Sequence, residues 1–325
     1  MSPRTRVIAV VVAAAALAAA AVVGITIASG DRPQTTAPSG PPQRRGAPPL
    51  SLDLGVRTDR EARDLRQALR LYEAGKRTGA AALFQRYDSL EARVGRAFSG
   101  WPEGTLARLT QLAGLHPKSA VIQLNLGIVQ LWTGESDGKA AWRSAAASEP
   151  DSAYAVTAGN LLYPEYARNL PIFVPTRPMP AAVNELRGRP DAQLALLARN
   201  AGSGRVDDRL FYGVALQRLG KQRSAERQYA AAARSAPGDA QAQVAAAVGR
   251  FDKARPAAAF SRLGPLTRRF PRAATVRFHL GLLLLWSGQV KEAKRQLALA
   301  RASEPSSPLA REAGRYLDEL AAAGV

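Results

Sequence analysis

The sequence predicts an all-α protein assembled from repeated helical hairpins, and three observations carry that prediction. Ala, the best helix former, supplies 65 of the 325 residues, while aromatic residues make up only 6%. Pro237, Pro271 and Pro305 stand 34 residues apart. Counted back from each proline, small residues fall into shared columns: Gly220, Ala254 and Gly288; Ala225, Ala259 and Ala293; Gly213, Ala247 and Gly281. Tyr229, Leu263 and Leu297 form a matching column of large residues. A fixed period of this length marks a repeat architecture. Small residues belong where two helices approach closely, and large ones where the gap is filled.

From the N-terminus, Arg4 and Arg6 precede an uncharged run from Val7 to Gly30. At about 1.5 Å per helical residue such a run reaches across a hydrocarbon core of about 30 Å. Residues 1–30 are therefore expected to be a signal-anchor or transmembrane segment. Thr26-Ile27-Ala28 leaves a cleaved signal, and hence secretion, as the alternative. Arg4 and Arg6 favour an inside N-terminus, against Arg32, Arg44 and Arg45 on the other flank. A short tail ahead of a long domain favours export of the rest. Residues 31–50, rich in Pro, Gly, Thr and Ser, read as a disordered stalk. The expectation is a single-pass membrane protein with an extracytoplasmic repeat domain.

Residues 206–307 hold three tandem units, Val206–Asp239, Ala240–Ala273 and Ala274–Ser307. An upstream copy is visible too. His116-Pro117 leads to Leu126-Gly127 and Leu131-Trp132-Thr133-Gly134, as Phe270-Pro271 leads to Leu280-Gly281 and Leu285-Trp286-Ser287-Gly288. Both copies end in Ala-Ser-Glu-Pro. These columns resemble the tetratricopeptide (TPR) repeat, a 34-residue pair of antiparallel helices. The resemblance covers roughly Arg60 to Val325 and implies a right-handed helical-hairpin solenoid behind the N-terminal helix.

Residues 60–162 form the first block of weaker units. Tyr72, Gly75, Ala80 and Phe84 suggest a pair from Arg60 to about Arg96, and Ala97, Gly100, Leu106, Leu109 and Leu112 suggest another. Residues 163–180 hold Pro164, Pro171, Pro175, Pro178 and Pro180 among Tyr163, Tyr166 and Phe173, which forbids a continuous helix. That insertion either shapes a site or merely joins two blocks of repeats. Residues 181–205 follow as a connecting helical segment. Residues 308–325, with Leu309, Tyr316, Leu317 and Leu320 on one side, are expected to cap the array.

The chain has no Cys and two His, His116 and His279, which excludes thiolate chemistry and His-rich metal centres. Gly134 to Ala140 looks superficially like a phosphate-binding loop, but three residues separate its glycines and Ala140 follows the Lys. Neither His has a placed Ser or carboxylate partner. No catalytic residue, cofactor or metal is expected.

The formal net charge is +19, from 45 basic and 26 acidic residues. Arg262, Arg268, Arg269 and Arg272 cluster around one second helix and offer an anion surface for lipid or envelope polymer. The joint excess of Ala, Arg, Gly and Pro also follows from a GC-rich coding bias. Stacking residues for nucleic acid are missing.

By the TPR resemblance, first helices line a concave groove. That implies Ile128, Leu131 and Trp132 in the upstream copy, Val214 and Arg218 in one repeat, Phe251 in the next, and Phe278, Leu282, Leu285 and Trp286 in the last. The Lys, Arg and Asn clamp of chaperone-docking members is absent. An apolar groove with two tryptophans suits a protein or peptide partner, unless these side chains pack on neighbouring helices or under the insertion. The function expected is a scaffold, with an anion-binding surface protein as the alternative.

Overall fold

A computed structural model describes residues 43–324; the expected membrane segment (1–30) lies outside them. Sixteen helices and no strand occur among the described residues. They fall into two compact units, 43–150 and 151–324. No helix among the described residues is long and apolar enough to cross a membrane.

The first unit contains α1 (Arg60–Glu73), α2 (Arg77–Phe84), α3 (Leu90–Ser99), α4 (Thr105–Leu115), α5 (Ala120–Thr133) and α6 (Lys139–Ser148). α1 packs on α2, α3 on α4 and α5 on α6, so each consecutive pair is a hairpin. The first hairpin ends at Phe84 rather than near Arg96, which lies inside α3. The reason is packing: Gly95 of α3 sits directly against the Phe84 ring, where any Cβ would collide.

The second unit opens with α7 (Ala153–Leu162), followed by the non-helical Pro-rich segment 163–180. Short α8 (Ala181–Glu185) and α9 (Pro190–Ala201) lead into three hairpins: α10 (Val206–Arg218) with α11 (Gln222–Ser235), α12 (Ala240–Val248) with α13 (Ala257–Arg269), and α14 (Ala274–Trp286) with α15 (Val290–Ser303). α16 (Pro308–Ala322) closes the chain.

Sequence columns become contacts. A Cβ on Gly281 would stand 2.8 Å from Leu297, and one on Gly127 would stand 2.5 Å from the Trp142 indole nitrogen. Gly213 meets the Tyr229 ring in the same way. The small column of a first helix thus receives the large column of its second helix. Between the helices, Gly220 and Gly288 turn the chain with φ of 68° and 72°, a region most side chains avoid. The repeated Ala-Ser-Glu-Pro endings also have a physical task. Glu149 accepts the Ala120 N–H at 2.8 Å and Glu304 the Ala274 N–H at 3.3 Å, satisfying free donors at the start of each hairpin's first helix.

Two expectations are corrected here. The described end of the expected stalk is ordered: Pro48 and Leu50 are buried, as is Leu54 just beyond it. In the middle hairpin, α12 stops at Val248, so Phe251 lies in a turn beyond it rather than on a first helix. Gly249, at which that helix ends, lies against the Tyr229 ring, where a Cβ would stand 2.8 Å from it.

Candidate functional site: two helix faces crossed by extended segments

First helices place a set of polar groups on the face of each unit, and an extended piece of the same chain lies on each. In the first unit, residues 44–51 pass over α1 and α5. The Arg44 N–H donates to the Trp132 carbonyl at 2.9 Å, and its guanidinium sits 5.0 Å above the Trp132 ring. The Tyr72 hydroxyl donates to the Pro48 carbonyl at 2.7 Å. Asn125 grips Ser51 from both sides: its Oδ1 accepts the Ser51 N–H at 2.9 Å and its Nδ2 donates to the Ser51 carbonyl at 2.8 Å. Asn125 is completely buried, and a buried amide is tolerable only because these bonds satisfy it.

In the second unit the Pro-rich segment plays the same part. Gln217 Oε1 accepts the Phe173 N–H at 3.0 Å and the Tyr229 hydroxyl at 2.8 Å. His279 Nε2 accepts the Val174 N–H at 2.9 Å, and Gln241 accepts the Thr176 N–H. Phe173 is fully buried, its ring stacked 4.9 Å from His279 and edge-on to Tyr229. Because Nε2 accepts, the His279 proton resides on Nδ1, which bonds the Thr275 carbonyl at 2.7 Å. Burial holds this imidazole neutral, lowering its pKa to about 4. The start of the segment is tied by Lys253, whose ammonium donates to Asn160 Oδ1 and the Ala167 carbonyl, each at 2.6 Å.

Asn125 and His279 hold the same place in the two copies, each immediately before a Leu-Gly pair. Each receives a main-chain N–H from an extended segment. Sequence reasoning missed Asn125 and gave His279 no role once a triad partner was found lacking. The available signal was a polar residue at the same register position, immediately before Leu-Gly, in two mainly apolar helices.

The residues expected to line the groove are distributed unevenly. Val214, Phe251, Phe278, Leu282, Leu285 and Trp286 are buried in the apolar core of the second unit, with Ile172 and Val174 of the Pro-rich segment packed against that core. Phe278 faces Tyr316 of the capping helix, ring centres 6.1 Å apart. Ile128 is buried, Leu131 and Trp132 are half-buried, and Arg218 is exposed. In the second unit these residues are therefore core, with the chain's own Pro-rich segment packed on it.

Of the expected anion surface, Arg262, Arg268 and Arg272 are exposed and make no ion pair among the described residues. Arg269 instead donates to the Pro237 carbonyl at 2.8 Å and lies over Phe270. The Gly134–Ala140 stretch is the turn between α5 and α6 together with the first two residues of α6, where Lys139 pairs with Asp137 at 3.2 Å. No cluster of three or more His, Asp or Glu side chains able to hold a metal occurs among the described residues.

No family model matches the chain, and no curated protein matches it. Among solved structures it is similar to a thermophilic TPR protein from Thermus thermophilus, at 17% identity over 80% of this chain and 99% of that one, with a TM-score of 0.26. It is also similar to the APC/C hetero-tetramer Cut9-Hcn1, at 15% identity over 80% of this chain and 55% of that one, with a TM-score of 0.25. The helix order and the 34-residue register, read from the chain itself, make it an all-helical, TPR-like array of hairpins.

Proposed function

We propose that this protein is a non-enzymatic interaction scaffold whose concave faces take up extended protein segments through their main chain. One observation carries the reading: Asn125 and His279, equivalent in the two copies, each accept a backbone N–H from an extended, proline-bearing segment. Side-chain groups that read backbone are indifferent to sequence, so they suit a partner peptide as well as the chain's own. We also propose that residues 1–30 hold the array at the outer side of a membrane, as Arg4, Arg6 and the uncharged run between Val7 and Gly30 favour.

A photoreactive residue at position 131 or 218, where the first-helix faces reach solvent, should crosslink a partner segment in native membranes. Exclusively intramolecular crosslinks from both positions would refute the scaffold reading. For the membrane side, a reporter fused after Val325 should be active outside the cytoplasm, and cytoplasmic activity alone would overturn that placement.

A second reading follows from the unpaired Arg262, Arg268 and Arg272, which suit anionic lipid or polymer. Binding through them should weaken steeply as salt rises, whereas main-chain capture on a concave face should not.

A further inference from the structure

The two extended segments are held very differently. Phe173 is completely buried and wedged between two rings. Gln43, Arg45, Gly46 and Ala47 are exposed, and Arg44 is only half-buried. Beneath Arg44, the Trp132 indole N–H is buried and has no acceptor among the described residues. Among the described residues, the occupant of that end of the first face thus offers this donor no acceptor, as is also the case for the Trp142 and Trp286 indoles.

We propose that residues 43–47 stand in, within the same chain, for a partner's extended segment, and that the site beneath them selects a basic residue whose main chain runs on, extended, to a carbonyl four positions later. This rests on the reading of the concave faces as sites for extended segments. Selection for a cation follows from the end of α5. The Arg44 main-chain N–H binds the Trp132 carbonyl there, which any residue but proline could do, and it sets the side chain at the negative end of the helix dipole, where a cation is favoured. The Trp132 ring offers its electron-rich face to the same side chain. Four residues on, the Pro48 carbonyl takes the Tyr72 hydroxyl, and three further the Ser51 backbone enters the Asn125 clamp. Only the cation and the main chain are read, so a segment of another protein with that spacing presents the same groups. A segment that also brings an acceptor to the Trp132 N–H satisfies what the chain's own strap does not. The strap competes at an effective concentration on the order of millimolar, which sets the threshold a partner must exceed.

The test uses the full chain and a labelled synthetic peptide with the sequence of residues 43–51, read by fluorescence anisotropy. A second peptide carries Ala in place of both arginines. A chain with Arg44→Glu and Leu50→Ser, its own strap loosened, should bind the first peptide about tenfold more tightly than the unaltered chain. The Ala peptide should bind the loosened chain about five- to tenfold less well, and adding Trp132→Ala should erase that preference. Equal binding of the two peptides, or equal binding by the two chains, overturns the proposal but leaves the concave-face reading standing. A loosened chain that melts normally yet binds neither peptide overturns both. A concentration-dependent dimer of the unaltered chain, abolished by the same two changes, makes a second copy the occupant and overturns it as well. Should the loosened chain fail to fold, hydrogen exchange on the unaltered chain decides. Amides of residues 44–47 must exchange about a hundredfold faster than those of Phe173 and Val174, and comparable protection overturns the proposal.

Discussion

His279 is a neutral imidazole used as a fixed acceptor, and its protonation has a calculable consequence. An unfolded His titrates near 6.5, while in the fold the value falls to about 4. Between these two values the unfolded chain binds a proton that the folded chain refuses. The stabilisation is therefore complete above about pH 6.5 and is lost as pH falls toward 4, by about 3 kcal/mol in all. Denaturant melts of the second unit's signal across that window should show the loss. His279→Asn keeps an acceptor near the Val174 N–H, as Asn125 does for Ser51, and should flatten the pH dependence while preserving the fold. An equally steep dependence in the Asn variant would place the titration elsewhere. Lys253 permits a second test at this scale. Burial lowers its pKa to about 7, against a smaller opposing effect of Glu165. Lys253→Met retains the stem and removes the two bonds to Asn160 and Ala167. Hydrogen exchange should then quicken over residues 163–170 and remain unchanged in the first unit.

At the scale of elements, the two tryptophans that occupy one register position separate sharply. Trp286 is 4% exposed and belongs to the core, whereas Trp132 is half-buried beneath Arg44. Trp286→Ala should cost about 3–5 kcal/mol of stability, the range for removing a buried aromatic. Trp132→Ala should cost clearly less, about 1–2 kcal/mol, because its ring loses one cation and part of a surface. Comparable losses in parallel melts would mean that Trp132 is core as well. The difference was not legible in the sequence. Columns of Gly, Ala and Leu reported the packing inside each hairpin, since Gly127, Gly213 and Gly281 meet the large residue of their own second helix. They could not report what lies across a hairpin's open face. Asn125 and His279 are invisible to an apolar-periodicity argument because their partners, Ser51 and Val174, are backbone groups 74 and 105 residues away. The Pro-rich composition of both straps correctly excluded helix, yet extended chain that is proline-bearing can be docked as readily as it can be loose.

For the molecule as a whole, an array of hairpins is stabilised by each pair covering the face left open by the one before, so its ends carry a particular burden. In the second unit that burden falls on α16. Leu309, Ala313, Tyr316 and Leu320 are buried on α14 and α15, and the Tyr316 ring meets Phe278 edge-on. Burying side chains of the size of Leu and Tyr contributes about 1.5–3 kcal/mol each, so the three large ones account for about 5–9 kcal/mol. That is comparable to the entire stability of an ordinary domain. Ending the chain before Pro308 should therefore uncover Phe278 and its neighbours on α14 and α15, which favours association through the exposed face. The shortened chain should scatter light at concentrations where the full chain does not, and its urea midpoint should fall. Tyr316→Ala, which removes one ring and keeps the helix, should lower the midpoint partway without aggregation. A shortened chain that stays monomeric with an unchanged midpoint would mean that α16 covers nothing the array needs.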